Sequence, residues 1–227
     1  MLAFLLALGG GAMTGQGCAQ EPARNHGLQE EVRLPEPRTS GPVSVEEAIH
    51  GRRSVRNFRT DPIDLPQVSQ LLWVAQGITD GNGLRAVPSA GATYPLETYL
   101  IVGEVQTLAP GVYRYAPERH ALHLLQPGDL REEMATAALG QSWIADAPIT
   151  ILVAAVFSRT TGRYGDRGRQ YVHMEMGHAA QNVYVQAEAL GLGTTMVGAF
   201  HDQALAEAAG LPSEELPLGL LPVGVPR

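Results

Sequence analysis

The segment Gln170-Tyr171-Val172-His173-Met174-Glu175-Met176-Gly177-His178-Ala179-Ala180-Gln181-Asn182-Val183-Tyr184-Val185-Gln186-Ala187-Glu188-Ala189-Leu190, followed by Gly191, is the longest stretch of helical periodicity in the chain. Val172, Met176, Ala179, Val183, Ala187 and Leu190 recur at spacings of three and four, and the glycine supplies the stop. Glu175, His178, Asn182 and Gln186 make a second, polar stripe, which on an ordinary surface helix would face solvent. Ala180, Tyr184 and Val185 carry apolar character around much of the remaining circumference. A helix of this kind belongs at the centre of a domain or of a dimer, and the dimer is the favoured expectation. The rest of the chain should be packed around it.

Working outward, residues 149–157 (ITILVAAVF) form an unbroken apolar run, the pattern of a central strand buried on both faces. On the other side, residues 191–200 (GLGTTMVGAF) read as a strand ending at Val197-Gly198, where backbone amides would meet a ligand. Upstream, 97–103 reads as a strand, 111–115 and 121–125 as a hairpin, and 129–139 as a helix. Ser44-Val45-Glu46-Glu47 and Asp64 with Gln67 are helix starts of the reciprocal capping kind, the second followed by Val68, Leu71, Leu72 and Ala75 up to Gly77. Asp202 should cap a helix to Ala209, and 216–225 is a last extended segment. His120 and His123 could only be a metal pair from opposite faces of a strand, and no carboxylate or cysteine cluster joins them, so no metal site is expected.

Charge is distributed unevenly. The chain has a net charge of -7, yet Gly51-Arg52-Arg53-Ser54-Val55-Arg56-Asn57-Phe58-Arg59 holds four arginines in nine positions. In an extended exit from the helix that Ser44 begins, residues 52, 54 and 56 alternate onto one side. Two guanidinium forks and a hydroxyl suit a phosphate monoester dianion, whereas the plainer alternative is a solvated basic turn. Residues 78–95 are a long irregular stretch in which Arg85-Ala86-Val87-Pro88-Ser89-Ala90-Gly91-Ala92-Thr93-Tyr94-Pro95 offers small residues that let amides approach a flat ligand.

The 227 residues, 44% hydrophobic, suit one domain that needs no disulfide, and the single cysteine excludes an intrachain disulfide framework. Net acidity without a long basic block argues against nucleic acid or an anionic membrane surface as partner. Residues 1–19 are expected to be a secretory leader, too short for a membrane span, which would place the mature protein in an exported or periplasmic location. Lipid anchoring through Cys18 and a cytoplasmic leader are the alternatives. Residues 20–43, proline-rich and polar, read as a linker or arm, leaving 44–227 as the folded domain.

The motifs RRSVRNF (52–58), PSAGATYPLE (88–97), YGDRGRQYVHMEMGHAAQN (164–182), GLGTTMVGAF (191–200) and LPVG (221–224) resemble, in that order, the nitroreductase family of flavin enzymes, and within it the SagB-type, thiazole/oxazole-forming dehydrogenases. The resemblance implies an α+β fold, a mainly antiparallel sheet flanked by helices, assembled as an intertwined homodimer that binds FMN at its interface. It implies that Arg52, Arg53, Ser54 and Arg56 lie at the phosphate and ribityl end, with Arg227 a candidate to complete that site. Ser89 and Gly91 would lie beside the isoalloxazine ring, and Val197 and Gly198 around its N5 and O4. Gln181 and Asn182 match a family pair on the central helix. The activity implied is hydride transfer through flavin N5 to or from a small organic substrate, with NAD(P)H a candidate electron donor. The azoline-oxidising members resemble one another in a Lys-Tyr pair where this chain has Arg163-Tyr164. A guanidinium cannot act as a base at neutral pH, so this pair is expected to favour small acceptors over azoline peptides. From a different class, the chain could be a flavin-binding module without turnover.

Overall fold

The computed structural model describes residues 31–227. The leader expected over residues 1–19 and most of the arm's first half lie outside the described residues. Seven strands form one sheet in the order β1-β4-β3-β2-β5-β7-β6, with every neighbouring pair antiparallel. They are β1 (Glu31–Arg33), β2 (Leu96–Val102), β3 (Gly111–Ala116), β4 (Ala121–Pro127), β5 (Ile149–Ala155), β6 (Gly193–Thr194) and β7 (Leu216–Gly224). The helices are α1 (Val45–Gly51), α2 (Leu65–Gln76), α3 (Arg131–Ala137), α4 (Trp143–Asp146), α5 (Phe157–Tyr164), α6 (Arg167–Ala189) and α7 (Asp202–Ala209).

The unbroken apolar run does what its pattern predicts. All seven residues of β5 are buried, and their alternation feeds two cores. Ile149, Ile151, Val153 and Ala155 pack with Val68 and Leu72 of α2 and Val172, Met176 and Val183 of α6. Leu152 and Ala154 point the other way, into a core with Met134 of α3, Ile144 of α4 and Leu205 of α7. Helices therefore cover both faces of the sheet, and α6 is the long member of one layer. Both capping boxes form: Ser44 Oγ accepts from the Glu47 amide (3.1 Å) while Glu47 accepts from the Ser44 amide (2.8 Å), and Asp64 and Gln67 do the same.

Three expectations are corrected, and the choice left open for the polar stripe of α6 is decided. The polar arm contains strand β1, which extends the sheet by pairing with β4. Residues 191–200 are strand only at Gly193–Thr194: Thr194 is held between Val223 of β7 and Ser54, the Met196 amide then donates to the Tyr184 hydroxyl (2.7 Å), and Val197 returns to β7 only as a single bridge to Leu220. Residue 157, read as the end of a strand, opens helix α5, which Gly165 stops at φ 56°. The second stripe of α6 is not a solvent face. Glu175 is buried, Asn182 donates to Val74 O (3.0 Å) and Gln186 accepts from Gln70 of α2 (3.3 Å), so that among those four only His178 is exposed. Exposure on α6 follows His173, Met174, Gly177, His178 and Gln181 instead. Among the described residues, no helix is long and apolar enough to cross a membrane.

Candidate active site

Two groups of side chains collect at different levels of α6. The first is the loop before β2. A short 3-10 turn, Ala90–Ala92, brings Gly91 into the left-handed region at φ 60°, and Ala92 and Tyr94 are held there too, at φ 53° and 42°. Left-handed backbone at non-glycine residues is costly and persists only where the surroundings enforce it. Here α5 does so. Arg163 Nη1 donates to Gly91 O (3.0 Å), Arg159 Nη1 donates to Tyr94 O (3.0 Å), and the Thr93 and Thr160 hydroxyls lie 2.8 Å apart. A side chain at 91 would collide with the Tyr164 hydroxyl. Arg163 and Tyr164 are thus brought to Gly91, distant from them in sequence, and Tyr164 is steadied edge-on against Tyr171 (5.2 Å between centroids). Arg163 forms no ion pair with Asp166; its partner is the loop carbonyl.

Ser89 stands at the head of this loop, its Oγ accepting from the Tyr94 amide (3.0 Å). Beneath it, Glu175 is 2% exposed. Burial pushes the Glu175 carboxyl up to about 7, against the opposing pull of the Ser89 hydroxyl and the Arg85 charge.

The second group lies nine residues further along α6, about 13 Å at the helical rise. Arg52 stacks over the Tyr184 ring (5.4 Å), and Ser54 Oγ lies 3.4 Å from the Tyr184 hydroxyl. Ser54 itself bridges to Thr194, and the Val55 amide donates to Thr194 O (2.9 Å). Burial pushes the Tyr184 phenol up, but bonding from Ser54, Thr195 and the Met196 amide, with the Arg52 charge, more than offsets it, and the net shift is downward. Tyr184 is the residue that sequence reasoning missed: it was counted as apolar lining, and nothing local in the sequence marks its hydroxyl.

The remaining expected site residues divide. Arg56 reaches over Trp143 of α4 (5.9 Å) rather than joining Arg52 at Tyr184. Arg53 Nη1 folds back onto the carbonyls of His50, Gly51 and Arg52, capping the C-terminus of α1. Asn182 Nδ2 donates to Val74 O (3.0 Å) and Ala86 O (3.5 Å), tying α6 to α2 and to the loop. The Val197 amide is committed to Leu220 O (2.8 Å), so it is unavailable; Gly198 beside it is exposed. Gln181 is exposed on α6. Arg227 donates its amide to Asn57 O (3.1 Å) and lines a cleft with Phe58, Glu104 and Arg131, apart from Tyr184. His120 bonds Ser69 (2.7 Å) and Tyr115 (2.8 Å), a structural role, and no metal-ligand cluster occurs among the described residues.

Residues 49–225 match the sequence pattern of the nitroreductase family. The chain belongs to that family. It is 50% identical over 182 residues to a protein of Methanocaldococcus jannaschii named as a nitroreductase, covering 80% of this chain and 91% of that one. It is similar in structure to a Ralstonia eutropha JMP134 protein described as a nitroreductase, with a TM-score of 0.77, 29% identity and coverage of 93% and 96% of the two chains. A more distant relative, 27% identical over 136 residues, is the microcin B17-processing protein McbC of Escherichia coli, with 58% of this chain and 50% of that one covered. The expected α+β family fold is thereby established, and the protein is an oxidoreductase of the nitroreductase family.

Proposed function

We propose that the protein is an FMN-dependent oxidoreductase that passes a hydride between a nicotinamide donor and a small carbonyl, quinone or nitro compound. The observation that carries this is the pairing of two sites along one helix: an anion-ready end at Arg52, Ser54 and Tyr184, and a flat-ligand end at Ser89, Gly91, Arg163 and Tyr164. The residues fit a molecule with a phosphate at one end and a planar ring at the other. Among the described residues Arg52 and Arg56 form no ion pair, and Gly91 packs so closely on Tyr164 and Arg163 that only a glycine is accommodated there. When bound, FMN supplies the atom that accepts and donates the hydride.

The chain's own groups supply position and charge. Arg52 and Ser54 would hold the phosphate by charge-assisted hydrogen bonds, and the Gly91 turn would let the backbone approach the ring. Arg163, permanently charged at the mouth of the loop, would stabilise negative charge developing on an acceptor oxygen. A second reading, an azoline-peptide dehydrogenase of the SagB type, is favoured by the likeness to the microcin B17-processing protein. It lacks the lysine of the azoline-oxidising pair: a guanidinium such as that of Arg163 cannot take a proton at neutral pH. We also propose a homodimer formed across the exposed stripe of α6. The deciding assay offers the purified yellow protein a quinone, a nitroaromatic and a thiazoline peptide, with anaerobic NAD(P)H bleaching as the first half-reaction. Faster turnover of the thiazoline than of either small acceptor would overturn the preference argued from Arg163.

A further inference from the structure

Apart from Arg38 and Arg227, the described arginines that form no ion pair fall in two places: residues 52–56 and the corner where α5 meets α6. The first is the anion-ready end described above. The second holds Arg163, Arg167 and Arg169. It is short of acid: Asp166 is the only carboxylate between residues 157 and 173, and among the described residues it forms no ion pair. Glu97, which reaches α5 from β2, is taken by Arg159 (2.5 Å) and Arg114 (2.8 Å). Three unpaired guanidiniums against one carboxylate make a local positive field on a chain of net charge -7.

Two of these arginines are held in place. Arg163 stacks over the Tyr164 ring (5.6 Å), Tyr164 meets Tyr171 edge-on (5.2 Å), and Arg167 lies over the Tyr171 ring (5.7 Å). The four side chains form one row, with a guanidinium at each end and two phenol rings between. The row begins at the flat-ligand end, where Arg163 donates to Gly91 O and the Tyr164 hydroxyl closes on Gly91. Both arginines are exposed and both tyrosines half-buried, so a small molecule can lie along it. Arg169 carries the same charge but stands off the row: two positions along α6 from Arg167, it turns to another side and stacks over Phe157 (4.8 Å).

We infer that this row selects the acceptor, a small carbonyl, quinone or nitro compound that also bears a carboxylate, sulfonate or phosphate. The inference rests on the hydride-transfer reading above and names its substrate class. The reducible group lies at the Arg163 end, beside Gly91. The charged group is held at the other end by Arg167, whose planar fork matches an oxyanion, and the flat body between them runs along the tyrosine rings. The anion takes no part in the reduction; it contributes binding, which a neutral acceptor of the same size forgoes.

The test compares para-nitrobenzenesulfonate with its neutral isostere para-nitrobenzenesulfonamide, using the FMN-loaded protein and NADH. The wild type should favour the sulfonate in kcat/KM by about tenfold, chiefly through KM, and the preference should shrink as salt rises from about 0.05 to 0.5 M. Arg167→Ala should abolish the preference and Arg167→Lys should restore part of it. Arg169→Ala, which removes the same charge from the same turn of α6, should keep it. Toluenesulfonate, which has no reducible group, should bind the same protein in a calorimetric titration with the same dependence on Arg167. Equal kcat/KM for the two nitro compounds would overturn the inference. So would an Arg169→Ala loss as large as that of Arg167→Ala, because the field alone would then account for the preference. A loss in Arg167→Ala confined to anaerobic reduction of the flavin by NADH would also overturn it, by assigning the guanidinium to the donor's pyrophosphate. Arg167-dependent binding of toluenesulfonate to a protein that reduces neither nitro compound would instead support anion selection and overturn the hydride-transfer reading.

Discussion

At the scale of single residues, the basic stretch separates into parts that sequence alone treated as one. Arg52 and Arg53 are adjacent and chemically identical, but one lies over Tyr184 and the other caps the helix it leaves. Arg52→Ala should weaken FMN binding roughly ten- to a hundredfold, the worth of one charge-assisted hydrogen bond of about 1.5–3 kcal/mol, while the protein stays folded. Arg53→Ala should leave the dissociation constant unchanged, and equal losses in a flavin titration of the two variants would refute the division. Gly91 gives a sharper test. Gly91→Ala should cost about 2–4 kcal/mol, combining left-handed backbone with a collision at the Tyr164 hydroxyl. Because Tyr164→Phe removes the colliding oxygen, the double variant should recover about 1–2 kcal/mol in urea unfolding, and strict additivity would show that the two residues do not meet.

At the scale of elements, Asn182 poses the clearest choice between a family-derived role and a structural one. Its amide bonds two backbone carbonyls on α2 and the following loop, so Asn182→Ala should destabilise the fold by about 1–3 kcal/mol and leave flavin affinity nearly intact. A flavin-free but fully stable variant would restore the cofactor role. This residue also shows what the sequence could and could not reveal. Helix starts were legible because Ser44–Glu47 and Asp64–Gln67 encode their bonds within four residues, and β5 was legible because burial on both faces leaves no polar position. Asn182 and Tyr184 were not, because their partners lie at Val74 and Ser54, and no local pattern reports a contact across that separation. Helix α5 was hidden for a related reason: its Thr160 and Arg163 are specified by the loop they clamp, not by an apolar repeat. The two ends of the candidate site were visible as motifs, but their spacing along α6 was not.

At the scale of the molecule, α6 leaves a question that its own chain does not answer. Val172, Met176, Ala179, Ala180, Val183 and Ala187 bury themselves against the sheet, yet Met174 is 52% exposed on the opposite side, and Gly177 beside it would admit a close neighbour, since a Cβ there meets nothing. Val45 and Ile49 of α1, a helix packed on α6, are also exposed, at 62% and 54%. Apolar groups exposed at Met174, beside a glycine, and on α1 at the other end of α6 are what a second copy of the chain would cover, and an obligate interface of that kind buries on the order of 2,000 Å² or more. Light scattering should therefore report a dimer at micromolar concentration. Met174→Glu with Ile49→Glu should shift it towards monomer, because two desolvated carboxylates on each copy have no partner in a self-complementary interface. The same variant should remain folded, as neither side chain enters either core, so loss of the dimer can be read separately from loss of the fold. If the double variant scatters as the same dimer, the interface lies elsewhere, and a wild type that scatters as a monomer with flavin still bound removes the dimer altogether.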